Sequence, residues 1–195
     1  MSVIRAFIAI NLPVEIQQKL EQVSSQLKGQ LGGVPVRWVP VGNIHLTLKF
    51  LGDVSLANLE VLQKILQAET ARYASFEASV GELCAFPSAR RPRVIWIRVN
   101  APAELSQLQR GLEESIGRLG YAPEERGFSP HLTLGRVSRN ANNTELMRIS
   151  QVLESTQVGI LGSMQVTALY LFRSDLQPSG AVYTCLYTAN LKSER

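Results

Sequence analysis

The sequence contains only two histidines, and the tripeptide Leu-Thr-Leu follows both of them. The copies are His45-Leu46-Thr47-Leu48 and His131-Leu132-Thr133-Leu134, which begin 86 residues apart in a chain of 195. With 26 leucines and 8 threonines in the chain, chance places Leu-Thr-Leu after a given histidine about 7 times in 10,000. A repeat at nearly half the chain length predicts two related halves, each contributing one His-x-Thr-x strand to a shared site.

Each tetrapeptide alternates polar and apolar residues, which is the period of a half-buried β-strand. His45 and Thr47 then face one way, while Leu46 and Leu48 pack into a core on the other side. Two such strands facing each other surround a small anion with two imidazoles and two hydroxyls, which exchange protons and donate hydrogen bonds. The pattern favours acid–base phosphodiester chemistry, in which one imidazole takes a proton from water and the other protonates the leaving oxygen.

The composition is that of a soluble globular protein, with 45% apolar and 18% charged residues. No apolar run is long enough to span a bilayer, and 195 residues suffice for one domain or two small joined lobes. Residues 3–10 alternate like a strand and lack a basic segment before them, so we expect no signal peptide. Cys84 and Cys185 are interpreted as reduced, buried thiols, and the predicted location is therefore the cytoplasm.

The excess of basic residues favours a nucleic-acid or nucleotide partner. The net charge is +4, and the basic residues are 15 arginines against 5 lysines. Guanidinium groups bind phosphate with two parallel hydrogen bonds, which ammonium groups do not. The one tight cluster, Arg90, Arg91 and Arg93, fits a solvated loop as well as it fits a phosphate contact.

The periodicity along the chain predicts the element order β α β β α β β α β α β β. Short links between successive strands imply antiparallel pairing, so the predicted fold class is α+β with two lobes. Strands are predicted near residues 3–11, 36–39, 44–51, 76–86, 93–100, 131–137, 166–172 and 181–189, the last two joined by a turn at 178–180. Helices are predicted near 13–27, 55–66, 105–119 and 144–153, the second capped by Ser55.

Other common catalytic patterns are missing from the sequence. A zinc site needs three or four suitably spaced ligands, whereas the chain has two histidines in different halves and two isolated cysteines. No Gly-x-Ser-x-Gly elbow, P-loop or dinucleotide-binding glycine motif is present. A magnesium site made of carboxylates alone is left open.

The residues around the motifs have less certain positions. Arg136 lies five residues after His131, so strict alternation places it on the opposite face unless the strand ends or kinks at Gly135. Lys49 has the parity of the motif histidine and either faces the site or is solvated. Three aromatic residues are predicted to lie in the core rather than to stack on a base: Trp38, Phe50 and Trp96.

Longer recognisable segments surround both motifs. Residues 37–40 read Arg-Trp-Val-Pro, residues 45–52 read His-Leu-Thr-Leu-Lys-Phe-Leu-Gly, and residues 126–136 read Arg-Gly-Phe-Ser-Pro-His-Leu-Thr-Leu-Gly-Arg. Further matches are residues 5–10, 86–87, 92–96, 171–174 and 180–183. Over nearly its whole length the chain resembles the two-histidine (2H) phosphoesterases. Within them it is similar to the bacterial and archaeal RNA 2′,3′-cyclic phosphodiesterases, long named 2′-5′ RNA ligases.

The resemblance implies a bilobal, pseudo-two-fold α+β fold spanning residues 1–195 as one domain. Two antiparallel-sheet lobes with helices outside would then enclose a central cleft lined by the motif strands. It also implies hydrolysis of an RNA terminal 2′,3′-cyclic phosphate to a 2′-phosphate without metal or other cofactor. It assigns His45 as proton donor and His131 as proton acceptor, with substrate binding by Thr47, Thr133 and Arg136.

Two alternative functions remain open from the sequence. The same residues serve the reverse reaction, which joins RNA ends through a 2′-5′ linkage. A protein that binds nucleotides or RNA in the same cleft without chemistry is the other alternative, although the intact histidine pair argues against it. The expected partners are RNA ends or nucleotides carrying a 2′,3′-cyclic phosphate, with no membrane, and the expected state is a monomer.

Overall fold

The computed structural model describes residues 2–178 and 180–193, and nine strands and four α-helices lie in that part of the chain. The strands are β1 (Val3–Ile10), β2 (Val36–Trp38), β3 (Leu46–Ser55), β4 (Phe76–Phe86), β5 (Val94–Asn100), β6 (His131–Val137), β7 (Ile160–Val166), β8 (Ala168–Gln177) and β9 (Gly180–Asn190). The helices are α1 (Val14–Gln30), α2 (Leu59–Thr70), α3 (Ala103–Gly117) and α4 (Asn143–Ser155).

The strands form two antiparallel sheets with a common plan. One sheet has the order β3-β1-β8-β9, and the other has the order β2-β6-β5-β4-β7. In the first sheet the motif strand β3 pairs with β1, and β8 and β9 follow. In the second sheet the motif strand β6 pairs with β5, β4 and β7 follow, and β2 is added on the other side of β6. This arrangement confirms the predicted α+β class with two related antiparallel-sheet lobes. The extent of the domain over residues 1–195 stays a prediction.

Helices α1 and α3 occupy corresponding places in the two lobes and bury one apolar stripe each. In α1 the buried positions include Ile16, Leu20 and Leu27, which recur at helical spacing. In α3 they include Leu108 and Leu112. These side chains join residues of both sheets in one hydrophobic core. The core anchors the two motif strands on their leucine side.

The sequence pattern predicts only two strands after α4 and does not reveal strand β7. It pairs with β4 as the edge of the second sheet, and only Met164 and Val166 are buried along it. Ile160 is 83% exposed, and Gly162 has φ +154°. A half-exposed edge strand containing glycine lacks the strong apolar alternation on which the prediction rested.

Two other local predictions have mixed outcomes. The Ser55 hydroxyl accepts a hydrogen bond from the backbone N–H of Ala57, as expected of a cap, but this opens a short 3₁₀ turn (Leu56–Asn58) that precedes α2. The predicted turn at residues 178–180 includes Ser179, which lies outside the described residues.

The cysteines are not buried as predicted. Both thiols are free, but Cys84 is half-buried and Cys185 is exposed. In the part of the chain that the structure describes, no helix has the length and apolar character needed to cross a membrane.

Both motif strands carry a β-bulge at the same position. In β3, Leu48 has no partner on β1, because Thr47 and Lys49 pair with consecutive residues of that strand. In β6, Leu134 is left without a partner on β5 in the same way. A one-residue bulge reverses the face on which the following side chains lie. The last leucine of each motif therefore decides where the residues after it point.

Candidate active site

The same local hydrogen bond holds His45 and His131. Nδ1 of His45 lies 2.8 Å from the carbonyl oxygen of Asn43, and Nδ1 of His131 lies 2.7 Å from the carbonyl oxygen of Ser129. A carbonyl oxygen can only accept, so Nδ1–H donates in both rings. Each imidazole is thus held in one orientation and one neutral tautomer, with Nε2 left for proton transfer.

A layer of aromatic rings supports His45. Phe7 of β1 stacks on the imidazole with ring centroids 4.6 Å apart, and Tyr183 of β9 meets it edge-on at 5.3 Å. Phe172 of β8 in turn stacks on Phe7 at 5.3 Å. Because Phe7 is buried yet lies outside the main hydrophobic core, these rings form the floor of the site rather than part of that core.

An equivalent aromatic pair supports His131. Trp96 of β5 lies 5.7 Å from the imidazole and Phe86 of β4 lies 5.8 Å from it, both meeting it edge-on. The two rings stack on each other with centroids 4.7 Å apart. Each histidine therefore stands against a stacked aromatic pair, which repeats the pseudo-two-fold relation of the lobes at the level of the site.

The three aromatic residues predicted to lie in the core have different environments. Trp38 is half-buried and packs against the core. Trp96 is buried, but it lies on the histidine side of its sheet and outside the main core. Phe50 is 57% exposed, so the prediction was wrong for this residue. Phe50 pairs directly with Phe7. Because directly paired residues share a face of the sheet, the two rings lie on the same side of it.

The alternation predicted for the motifs is present as far as each bulge. Thr47 and Thr133 are half-buried, between leucines that are buried in the core. Thr133 pairs directly with Trp96, which contacts His131, so its hydroxyl lies on the same face as that histidine. The structure thus brings one imidazole and one hydroxyl together on the outward face of each motif strand.

Lys49 takes neither of the positions predicted for it. The bulge at Leu48 turns its side chain into the protein, where the ammonium group is fully buried. Nζ lies 2.6 Å from a carboxylate oxygen of Glu113 on α3, and it donates to the carbonyl oxygen of Ala122 at 3.0 Å. Lys49 therefore ties the first motif strand to α3 and does not face the substrate.

Arg136 lies on the site face because of the second bulge. Strict alternation would have placed it opposite His131, but the extra residue Leu134 precedes it, and its side chain is exposed. The positive charges of Arg136 and Arg37 act on the hydroxyl of Tyr183 and lower its pKa, although burial has the larger effect and raises it. Residues of the second sheet thus approach the ring that contacts His45.

Tyr183 reaches His45 because β9 contacts the segment before the first motif. The side chain of Asn43 donates a hydrogen bond to the carbonyl oxygen of Ala181 at 2.8 Å, which holds that segment against β9. A cavity of about 310 Å³ opens beside the histidine, with Phe172 and Tyr183 among its walls.

Burial lowers the pKa of His45 from its reference value of 6.5, and the hydrogen bond to the carbonyl of Asn43 opposes this effect. In the free protein at neutral pH the His45 ring is therefore mainly neutral. Its protonated form needs a nearby anion to stabilise it.

The residues that the structure describes include no group of three or more histidine, cysteine, aspartate or glutamate side chains arranged to hold a metal ion. The candidate groups on the two motif strands and beside them are two imidazoles, two hydroxyls and arginine side chains. Such a set can bind an oxyanion and move protons at both ends of it.

A family model described as LigT-like phosphoesterase matches the chain twice, at residues 10–96 and 97–183, so each match contains one His-Leu-Thr-Leu motif. The chain belongs to the LigT-like phosphoesterase family. The RNA 2′,3′-cyclic phosphodiesterase of Methanothermobacter thermautotrophicus is 35% identical over 181 residues, which cover 93% of this chain and 95% of that protein. The corresponding protein of Archaeoglobus fulgidus is 33% identical, over 92% of this chain and 96% of its own length.

Solved structures of LigT-like phosphoesterases have the same fold. TT0787 of Thermus thermophilus superposes with a TM-score of 0.79 at 27% identity, covering 98% of this chain and all of that one. E. coli LigT complexed with 3′-AMP superposes with a TM-score of 0.75 at 26% identity, covering 97% and 99%. These likenesses agree with the bilobal plan deduced from the sheets.

Several residues of this LigT-like site escaped the sequence analysis. Tyr183 and Phe172 lie more than 120 positions from His45 along the chain, and no local pattern connects them to it. The sequence marks Arg37 only as part of the recognisable segment at residues 37–40. The one signal available was the short recognisable run around residues 171–174 and 180–183, which marks these strands without stating what they contact.

Proposed function

We propose that this protein hydrolyses the 2′,3′-cyclic phosphate at RNA ends to a 2′-phosphate, without a metal ion. The observation that carries the proposal is the matched presentation of two imidazoles, each holding Nδ1–H against a carbonyl and leaving Nε2 for the substrate. The names of the relatives support the substrate class, and the E. coli LigT complex with 3′-AMP supports a nucleotide ligand.

The reaction needs one proton carrier on each side of phosphorus. Water attacks in line with the oxygen that leaves, so the groups that serve these two oxygens must stand on opposite sides. In the proposal His131 takes the proton of the attacking water, and His45 gives a proton to the departing 3′ oxygen. The P–O3′ bond breaks as the new P–O bond forms, and the phosphate remains on the 2′ oxygen.

The remaining site residues bind the phosphate in this scheme. Thr47 and Thr133 donate hydrogen bonds from their hydroxyls to its non-bridging oxygens, and Arg136 contributes positive charge from the site face of β6. The reverse reaction, 2′-5′ ligation, uses the same residues in the opposite direction. Water is the more abundant nucleophile, so hydrolysis is the direction we propose. Action as a monomer in the cytoplasm is part of the same proposal.

The proton donor role of His45 predicts that its pKa responds to the bound phosphate. In the free protein the pKa lies below the reference value of 6.5 because the ring is buried. Saturation with adenosine 2′-monophosphate should raise it, because an anion beside the ring stabilises the imidazolium. An NMR titration of the imidazole signals between about pH 4 and 9 measures both values.

Assignment of this titration is simple because the chain has only two histidines. His131→Gln leaves a single imidazole, so the His45 signals follow directly. A free-protein pKa at or above 6.5, or a pKa unmoved in the saturated complex, would contradict the proposed role.

The function itself is tested by turnover of 2′,3′-cyclic mononucleotides with EDTA in the assay. We expect undiminished hydrolysis, because the imidazoles supply both proton transfers. Loss of activity in EDTA that a divalent ion restores would overturn the metal-independent mechanism. Tight binding of the cyclic nucleotide without turnover would instead favour the binding-protein alternative.

A further inference from the structure

Arg37 and Arg136 lie directly opposite each other on neighbouring antiparallel strands. They are Cα partners in the pairing of β2 with β6, and directly opposite side chains share a face, with Cβ atoms about 4.5–5.5 Å apart. Both are exposed, and neither has a carboxylate within 4 Å among residues 2–178 and 180–193. Like charges in this position destabilise a sheet. Anions bound beside the two guanidinium groups would offset the repulsion.

The packing of β2 shows which way Arg37 points. Gly135 of β6 lies so close to the side chains of Val36 and Trp38 that an added Cβ would sit 2.9 Å from one and 3.0 Å from the other. Val36 and Trp38 therefore cover the core side of the sheet, and Arg37, between them, projects from the opposite face. The bulge at Leu134 places Arg136 on that same face.

The arginine pair stands at the site rather than on a remote surface. Arg136 lies on the motif strand β6, on the face that carries His131 and Thr133, and Arg37 pairs with it. In agreement with this placement, burial raises the pKa of Tyr183 and both charges lower it, and the ring of Tyr183 lies 5.3 Å from the imidazole of His45. The pair thus belongs to the second sheet but borders the cleft beside the histidine of the first.

The positive charges of the side chains at the site outnumber the single negative charge of a cyclic phosphate. A 2′,3′-cyclic phosphate carries one negative charge, which a protonated His45 and Arg136 already more than balance. Arg37 is then left without an anion. The next negative group of an RNA strand is the phosphodiester that joins its terminal nucleotide to the preceding one.

We propose that Arg37, which lies beside Arg136, binds this adjoining phosphodiester and makes the enzyme prefer oligonucleotide ends over mononucleotides. The inference rests on the proposed function, because it assigns the polarity of the RNA strand in the same cleft. A guanidinium–phosphate contact supplies this preference without reading the base.

The test compares two substrates that differ only in this phosphate, a 2′,3′-cyclic mononucleotide and a dinucleotide ending in the same cyclic nucleotide. Arg37→Gln should lower kcat/KM about 10- to 100-fold for the dinucleotide, and less than about threefold for the mononucleotide. The dependence of log kcat/KM on log salt for the dinucleotide should become shallower by about 0.7.

Two further variants serve as controls for the comparison of the two substrates. Arg110→Gln removes the same charge from an exposed position on α3 and should leave both substrates unaffected. Thr133→Val removes a hydroxyl proposed to bind the cyclic phosphate, so it should lower kcat/KM for both substrates by similar factors.

Equal losses on both substrates in Arg37→Gln would show that Arg37 binds the cyclic phosphate itself, and would overturn the inference. Unchanged kinetics on both would also overturn it. Wild-type protein that hydrolyses neither substrate would contradict the proposed function instead. In that event Arg37→Gln should still weaken binding of the dinucleotide, and equal affinities would overturn the inference independently.

Discussion

Replacing His45 by alanine should lower kcat/KM for a 2′,3′-cyclic nucleotide by about 10²- to 10⁴-fold, the usual contribution of a positioned acid or base. The same loss is expected for His131→Ala. The activities of the two variants should differ on a substrate whose leaving group needs no proton. A 3′-deoxynucleoside 2′-(4-nitrophenyl) phosphate is such a substrate, because 4-nitrophenolate takes the place of the departing 3′ oxygen and leaves as the stable anion. Without a 3′-hydroxyl, only water can displace it.

On this substrate His45→Ala should recover most of its activity, whereas His131→Ala should remain impaired because water must still lose its proton. Release of 4-nitrophenolate measures both rates. Thermal unfolding of each variant verifies that the fold is retained. Recovery of the His131 variant in place of the His45 variant would reverse the assignment of donor and acceptor.

The second large effect concerns stability. Glu113→Ala should destabilise the protein by about 3 kcal/mol, because it leaves the fully buried ammonium of Lys49 without its carboxylate. The double variant Lys49→Met/Glu113→Leu removes both charges and keeps similar volumes, so it should cost less than about 1.5 kcal/mol. Urea unfolding of the two variants measures the difference.

A matched control lies on the surface of α2. Lys64 and Glu60 have the same N–O distance of 2.6 Å, but their side chains are 71% and 78% exposed. Glu60→Ala should barely change the free energy of unfolding, because water screens an exposed pair. A Glu113 variant as stable as the Glu60 variant would show that the buried ion pair does not anchor β3 to α3.

The parts of the site that repeat in the sequence were predictable from it. The His-Leu-Thr-Leu motifs gave the outward histidines and threonines, and the predicted strand at 131–137 matches β6 in both bounds. Alternation alone decided these positions, because one face of each strand is buried and the other is not.

The residues just after the motifs were not predictable, because a bulge depends on the partner strand. Nothing within the run Thr47-Leu48-Lys49 marks the leucine as the extra residue. The register against β1 decides it, and with it the burial of Lys49. The same cause moved Arg136 onto the site face.

The contacts between distant segments were also beyond a local analysis. Tyr183 packs against His45 because β9 pairs with β8, which pairs with β1. Arg37 meets Arg136 because β2 joins the edge of the second sheet, and only that pairing sets the two side chains opposite each other.

The central claim is that the cyclic phosphate lies between the two histidines, with water on the side of His131 and the 3′ oxygen on the side of His45. Phosphorus NMR of the product formed from adenosine 2′,3′-cyclic phosphate in EDTA tests it most directly. We expect wild-type protein to form the 2′-phosphate alone, and neither histidine-to-alanine variant to form it at a comparable rate. Formation of the 3′-phosphate, or undiminished turnover by either variant, would contradict it.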